Sequence, residues 1–216
     1  MKSAIICFIG TDGAGKSTLI AELKKKLESQ QHRVSIAYFG WKPFLPTTKL
    51  LSLLLKKSNY RIADKMNSKS DEKNKFSLIQ ELMLSYYCLE YLSRYLFQLR
   101  LPLIFSRKKK IILVDRYFYD MYAHYHYANQ SLIFPTLLKL MPKPDLTVFL
   151  DVDVNTAKQR KPEMDLQLLH KHHQRYLQLS QLLNAKTINT DQEIENSVQQ
   201  ILELTKEELK RKGALS

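Results

Sequence analysis

Cysteine is almost absent from this chain. Two occur in 216 residues, Cys7 and Cys88, each inside an apolar segment. A disulfide-stapled scaffold is therefore excluded, and buried free thiols in a reducing compartment are expected. Tryptophan occurs once, at Trp41. Acidic residues are few, with 21 Asp and Glu against 34 Lys and Arg, a net charge of +13. Long hydrophobic runs are also missing. No uncharged apolar stretch reaches the roughly 18 residues that a membrane span requires. Met1-Lys2 leads straight into an apolar strand, so no leader segment is expected and the location read from the chain is cytoplasmic.

What is present is an ordinary globular balance, 44% hydrophobic and 25% charged, enough for one α/β domain with a full core. The positive charge suits nucleic acid, anionic lipid or a polyphosphate substrate. Its distribution favours none of them. Lys24-Lys25-Lys26, Lys56-Lys57 and Arg107-Lys108-Lys109-Lys110 are scattered, as solvated faces are.

Three of the five glycines stand within one stretch, Gly10-Thr11-Asp12-Gly13-Ala14-Gly15-Lys16-Ser17-Thr18. It fits G-x-x-x-x-G-K-[ST]. The apolar run Ala4–Ile9 before it reads as a buried strand. Leu19, Ile20, Leu23 and Leu27 after it mark one face of a helix. The motif thus sits between a strand end and a helix start, where backbone N–H groups and the helix N-terminus together cradle phosphate. In that setting Lys16 reaches terminal phosphates and Ser17 offers its hydroxyl to Mg²⁺.

Further strands are expected at Arg33–Phe39, Lys110–Asp115, Asp145–Asp151 and Thr187–Asn189. Asp115 closes an apolar strand, the position of a carboxylate that holds Mg²⁺ or its water beside a phosphate loop. The alternative is a local ion pair with Arg116. Trp41 lies in a two-proline loop at a strand end, either touching an acceptor or capping the core. Thr47–Lys57 is a short amphipathic helix that either touches a membrane surface or packs on its own protein. Ser58–Lys75 is polar and expected to be mobile. Phe76–Phe105 is a long helical run broken near Pro102, with Leu89, Leu92 and Leu96 on its core stripe. Tyr117–Asn129 is rich in tyrosine and carries His124 and His126, without the ligand spacing of a zinc site. Asn155 caps a helix carrying Lys158, Arg160 and Lys161. A helix follows over Leu166–Leu183, and Ile194, Val198, Ile201 and Leu202 face inward from the last one. Five strands alternating with helices predict a three-layer α/β/α fold on a five-stranded parallel sheet.

These segments resemble the thymidylate kinase family of P-loop nucleoside monophosphate kinases. The loop at 10–18 is similar to that family's D-G-A-G-K-S-T form. Asp115-Arg116-Tyr117 resembles D-R-[YH], and Pro144–Val152 resembles P-D-L-x-x-x-L-D-V. Arg175-Tyr176-Leu177 resembles the helix after the lid, and Ile188–Asp191 the loop beside the adenine base. The resemblance implies one P-loop NTPase domain over 1–216, with an acceptor-side helical region at about 42–105 and a short lid at about 158–168. It implies transfer of the γ-phosphoryl of Mg-ATP to a nucleoside monophosphate such as deoxythymidine monophosphate, and a homodimer. Gly10, Asp12, Gly13, Ala14, Gly15, Lys16, Ser17 and Thr18 would bind ATP, with Ser17 and Asp115 at the metal. Lys16 and Arg160, with Lys161 or Arg175 beside the latter, would bridge donor phosphates. Arg116 would hold the acceptor phosphate and Asp12 the acceptor sugar, with Trp41, Tyr117 and Asp120 nearby.

The departures fall on the acceptor side. Tyr38-Phe39-Gly40-Trp41-Lys42-Pro43 replaces T-R-E-P-G, and Tyr87-Cys88-Leu89 replaces A-D-R. The D-R-Y-x-x-D pattern of residues 115–120 is shared with kinase-like chains encoded among glycan biosynthesis enzymes. It makes Asp120 a candidate base for a sugar or glycan hydroxyl, or a carboxylate that merely pairs within its helix. A nucleotide-binding protein with degraded catalysis is the remaining alternative.

Overall fold

The computed structural model describes residues 3–39, 89–105, 110–124, 136 and 142–213. Trp41, the amphipathic stretch at 47–57, the polar stretch at 58–75, residues 76–88 and Tyr125–Asn129 lie outside them. The chain divides into two compact units. One comprises Met1–Gly40, Pro102–Ala123 and Lys143–Ser216; the other comprises Trp41–Leu101 and His124–Pro142.

The first unit is built on five parallel strands in the order β2-β3-β1-β4-β5. They are β1 (Ala4–Ile9), β2 (Val34–Tyr38), β3 (Ile111–Asp115), β4 (Leu146–Asp151) and β5 (Lys186–Asn189). β1 and β3 are apolar almost throughout, as strands covered on both faces must be. The helices are α1 (Lys16–Ser29), α2 (Leu101–Phe105), α3 (Asp120–His124), α4 (Val154–Arg160), α5 (Leu166–Leu182) and α6 (Ile194–Arg211). The predicted layered α/β fold is the observed one, with strand boundaries within a residue or two.

α6 packs on α1 and turns Val198, Ile201, Leu202 and Leu209 into the core. Ile194 is a correction: it is 48% exposed, because it is the first residue of the helix and precedes the buried stripe. The cap of α4 is also corrected. Asp153, not Asn155, accepts from Asn155 N (2.9 Å) and Thr156 N (3.2 Å), so the helix starts at Val154. Asp165 caps α5 in the same way, through Leu168 N at 2.9 Å.

In the second unit the expected leucine stripe faces outward. Leu89, Leu92 and Leu96 are exposed, while Tyr91, Leu99 and the Arg94–Glu90 ion pair (3.1 Å) are buried. A buried ion pair compensates its own charge, so apolarity alone misassigned the face. The helix does not break at Pro102 either. A π-helical turn, Tyr95–Arg100, precedes it and shifts the hydrogen-bond pattern just where proline offers no N–H.

Ile201 is fully buried in the core. Ile201→Ala is expected to lower stability by about 2–5 kcal/mol, read as a reduced urea midpoint at unchanged slope.

Candidate active site

The loop between β1 and α1 is packed too closely for side chains at two of its glycines. A Cβ on Gly10 would come within 2.7 Å of Leu150 O, and one on Gly13 within 2.7 Å of Ala157 O. Gly13 also has φ +88°, in the left-handed region. The loop backbone therefore lies directly against β4 and α4, and Ala14 N turns back to Thr11 O at 3.2 Å.

Lys16, the first residue of α1, is buried beneath this loop. Its Nζ donates to Gly10 O (2.6 Å) and Thr11 O (2.7 Å). Burial, and then the nearby Arg116, lower its pKa to about 8. Ser17 Oγ donates to Asp115 Oδ2 at 2.9 Å. That contact follows from register, since Phe8 of β1 stands beside Asp115 of β3 and the loop begins two residues later. Asp115 Oδ1 is buried and meets no donor among the described residues. An oxygen pair of this kind, a hydroxyl and a carboxylate with a spare buried lone pair, fits a hard cation such as Mg²⁺. Among the described residues no group of three or more His, Cys, Asp or Glu gathers as a metal cluster.

Arg116 directly follows β3 in the left-handed region, φ +66°, uncommon for a residue with a side chain. Its guanidinium bonds Asp12 of the loop on one side and Asp120 Oδ2 on the other, the latter at 3.0 Å. Asp120 is 1% exposed, and its Oδ1 accepts from Tyr176 OH at 2.9 Å. Burial pushes the Asp120 carboxyl up against the opposing pull of Arg116, Lys16 and Tyr176. Burial opposes the charge on Arg116 too, but Asp120 and Asp12 override it and raise its pKa further.

Arg160, the last residue of α4, crosses to the loop. Nη1 donates to Gly13 O (3.2 Å) and Nη2 to Thr190 O (2.9 Å). The turn after it is held by Lys158 Nζ, which donates to Pro162 O (2.7 Å) and Met164 O (2.6 Å). Two cavities meet at Gly15, Thr18 and Arg160. The larger, about 500 Å³, is lined by Asp12, Lys16, Ser17, Asp115, Arg116 and Lys161 among others. The smaller, about 230 Å³, lies between Ala14, Leu19, Thr190, Gln192, Ile194 and Ser197.

The expected residues Asp12, Gly13, Gly15, Lys16, Ser17, Thr18, Asp115, Arg116 and Arg160 thus border one cleft. Others are corrected. Tyr117 is 1% exposed and stacks among Phe39, Phe118 and Tyr119, so the turn after β3 sends it into this aromatic cluster and away from the cleft. Asp120 lines neither cavity, both of its oxygens being held by Arg116 and Tyr176. Arg175 does not stand beside Arg160; it donates to Ala123 O at 3.0 Å, its place in α5 directing it toward α3. Gln192 and Ser197 escaped notice, being unremarkable types in ordinary loop and helix text, and Tyr38 was met only as part of a departure from the family pattern. Tyr176 had a signal in Arg175-Tyr176-Leu177, but no role followed from it.

With this geometry in view, residues 103–201 match the family described as thymidylate kinase. The crystal structure of thymidylate kinase from Ehrlichia chaffeensis aligns over 95% of this chain and 100% of its own, with TM-score 0.63 and 18% identity. Over residues 103–201 the chain is similar to that family. At 18% identity the structural likeness speaks for the shared P-loop α/β fold. No curated protein matches the chain by sequence.

Two outcomes follow from the loop. Between about pH 7.5 and about pH 9, ADP affinity should fall several-fold as Lys16 loses its proton, and Lys16→Gln should flatten that slope; calorimetric titration measures both. Gly13→Ala should weaken ADP binding at least tenfold, because its Cβ would collide with the Ala157 backbone.

Proposed function

We propose that this protein is an ATP-dependent phosphotransferase that moves the γ-phosphoryl of Mg-ATP to a nucleoside monophosphate such as deoxythymidine monophosphate. The family match supports the coarser reading, a nucleotide kinase-like phosphotransferase. The observation that supports Mg-ATP as the donor is the Ser17–Asp115 hydrogen bond at the mouth of the glycine loop, with Lys16 and Arg160 on the same cleft, and the monophosphate acceptor rests on the family resemblance.

In this reading the loop amides between Gly10 and Thr18 hold the phosphate chain, and Lys16 leaves the Gly10 and Thr11 carbonyls to meet it. Ser17 and Asp115 would hold Mg²⁺, which when bound neutralises phosphate oxygens. Arg160 lies where two cavities join, so a nucleotide would place its base in the smaller and its phosphates in the larger. The loose transition state of phosphoryl transfer spreads charge over oxygens, and Lys16 with Arg160 supplies fixed cations around it. Arg116 orients the acceptor. The 158–168 turn closes over the phosphates, and water is excluded. A single working domain, a homodimer and a cytoplasmic location belong to the same proposal; among the described residues no helix is long and apolar enough to cross a membrane.

One observation favours a hydroxyl acceptor instead. Arg116 stands between Asp12 and Asp120, so one guanidinium faces two carboxylates, a poor host for a dianionic phosphate. Asp120 would not itself be the base, since both oxygens are engaged.

ATP turnover with a panel of nucleoside monophosphates and sugars tests the two acceptors. Phosphorylation of deoxythymidine monophosphate supports the first reading, and turnover on sugars alone supports the second. Lys16→Ala should abolish transfer with the fold intact. Arg160→Ala should lower kcat by about 10²–10³ while changing the ADP Kd far less. An unchanged kcat would remove Arg160 from the mechanism.

A further inference from the structure

Asp120 lines no cavity, yet it fixes the charge at a residue that does. Arg116 Nη1 donates to its Oδ2 at 3.0 Å, and Tyr176 OH donates to its Oδ1 at 2.9 Å. A guanidinium only donates, and the phenol spends its single hydrogen here, so both oxygens act as acceptors and the pattern suits the carboxylate form. Asp120 and Tyr176 are buried, so water screens that charge little. On the other arm of the guanidinium stands Asp12. Arg116 thus brings one positive charge to the larger cavity with two negative charges held against it. The other cations that line this cavity are Lys16, Arg160 and Lys161. In the kinase reading those serve the donor phosphates, which leaves Arg116 for the acceptor.

We propose that Asp120, acting through Arg116, selects the acceptor by charge, admitting a neutral hydroxyl compound and turning away one that carries a phosphate. The inference rests on the hydroxyl-acceptor reading of the site and names the residue that enforces it. A phosphate drawn to Arg116 also meets Asp12 and Asp120, and in a site with little water those repulsions offset the attraction. A hydroxyl brings no charge to repel, and it can donate to Asp12, which borders the cavity. A purely structural Asp120, present only to hold Arg116 in place, predicts the opposite response to loss of its charge. Asparagine keeps a carbonyl for Arg116 and offers its amide to the Tyr176 oxygen. If Asp120 only holds, that change leaves anion binding equal or weaker. If it selects, anion binding grows stronger.

The test is calorimetric titration of the full chain with inorganic phosphate, after loading with Mg²⁺ and a non-hydrolysable ATP analogue. The analogue fills the donor sites, so added phosphate reports on the Arg116 side. The unaltered protein should bind phosphate more weakly than about 1 mM, and Asp120→Asn should bind it at least about tenfold more tightly. Asp120→Asn combined with Arg116→Gln should lose that gain. A Kd below about 1 mM in the unaltered protein overturns the proposal, whether or not any variant folds. So does unchanged or weaker binding in folded Asp120→Asn, with Asp120→Ser taking its place if the asparagine variant does not fold. Turnover separates this role from the reading beneath it. Sugars phosphorylated by the unaltered chain, with no gain in Asp120→Asn, keep the hydroxyl reading and discard the selector. Deoxythymidine monophosphate as the better acceptor discards both. If the analogue does not bind, the triphosphate reading of the cleft falls, and the selector falls with it.

Discussion

The backbone of the glycine loop lies in van der Waals contact with the strand and helix beside it, and that closeness governs the site. Leu150 O and Ala157 O occupy the space where side chains on Gly10 and Gly13 would stand. The amides of the loop are therefore held by their surroundings, independent of any ligand. Preorganised N–H groups need no reorganisation when charge arrives, which is what makes them useful to phosphate chemistry. Lys16 bonds the Gly10 and Thr11 carbonyls from within, and burial, with Arg116 nearby, lowers its pKa.

Parallel register then brings the second half of the site to the first. β1 and β3 are neighbours, and Asp115 ends its strand level with Phe8, so its carboxylate meets the first turn of α1. The next residue bends away in a left-handed conformation, and Arg116 returns toward Asp12. Tyr176 reaches from α5 to steady Asp120, and Asp120 steadies Arg116. Three elements distant in sequence thus fix one guanidinium. The cost is a buried charge network, tolerable because every member has a partner.

Much of this was readable beforehand. Lys16, Ser17 and Asp115 belong to motifs whose flanks, an apolar strand and a helix with apolar spacing, announce their position. Local chemistry dictates those flanks, so sequence text carries them. Tyr117 and Arg175 were misplaced for the opposite reason. Their residue types suit a cleft, but the turn after β3 and the helical phase of α5 decide which way they point. The outward leucines of residues 89–96 make the same point: a buried Arg94–Glu90 pair looks polar in the sequence and is internal in the fold.

By itself the sequence settled the order of strands and helices, the phosphate loop and the carboxylate that answers it, because hydrophobic periodicity and glycine spacing are local properties. Only the tertiary structure decided that Asp120 is spent on Arg116 and Tyr176, and that Arg160 joins two cavities while bonding Gly13 and Thr190. Those facts depend on partners up to 147 residues apart along the chain, as between Arg160 and Gly13. Such pairings exist only once strand register and helix packing have brought the partners within hydrogen-bond reach.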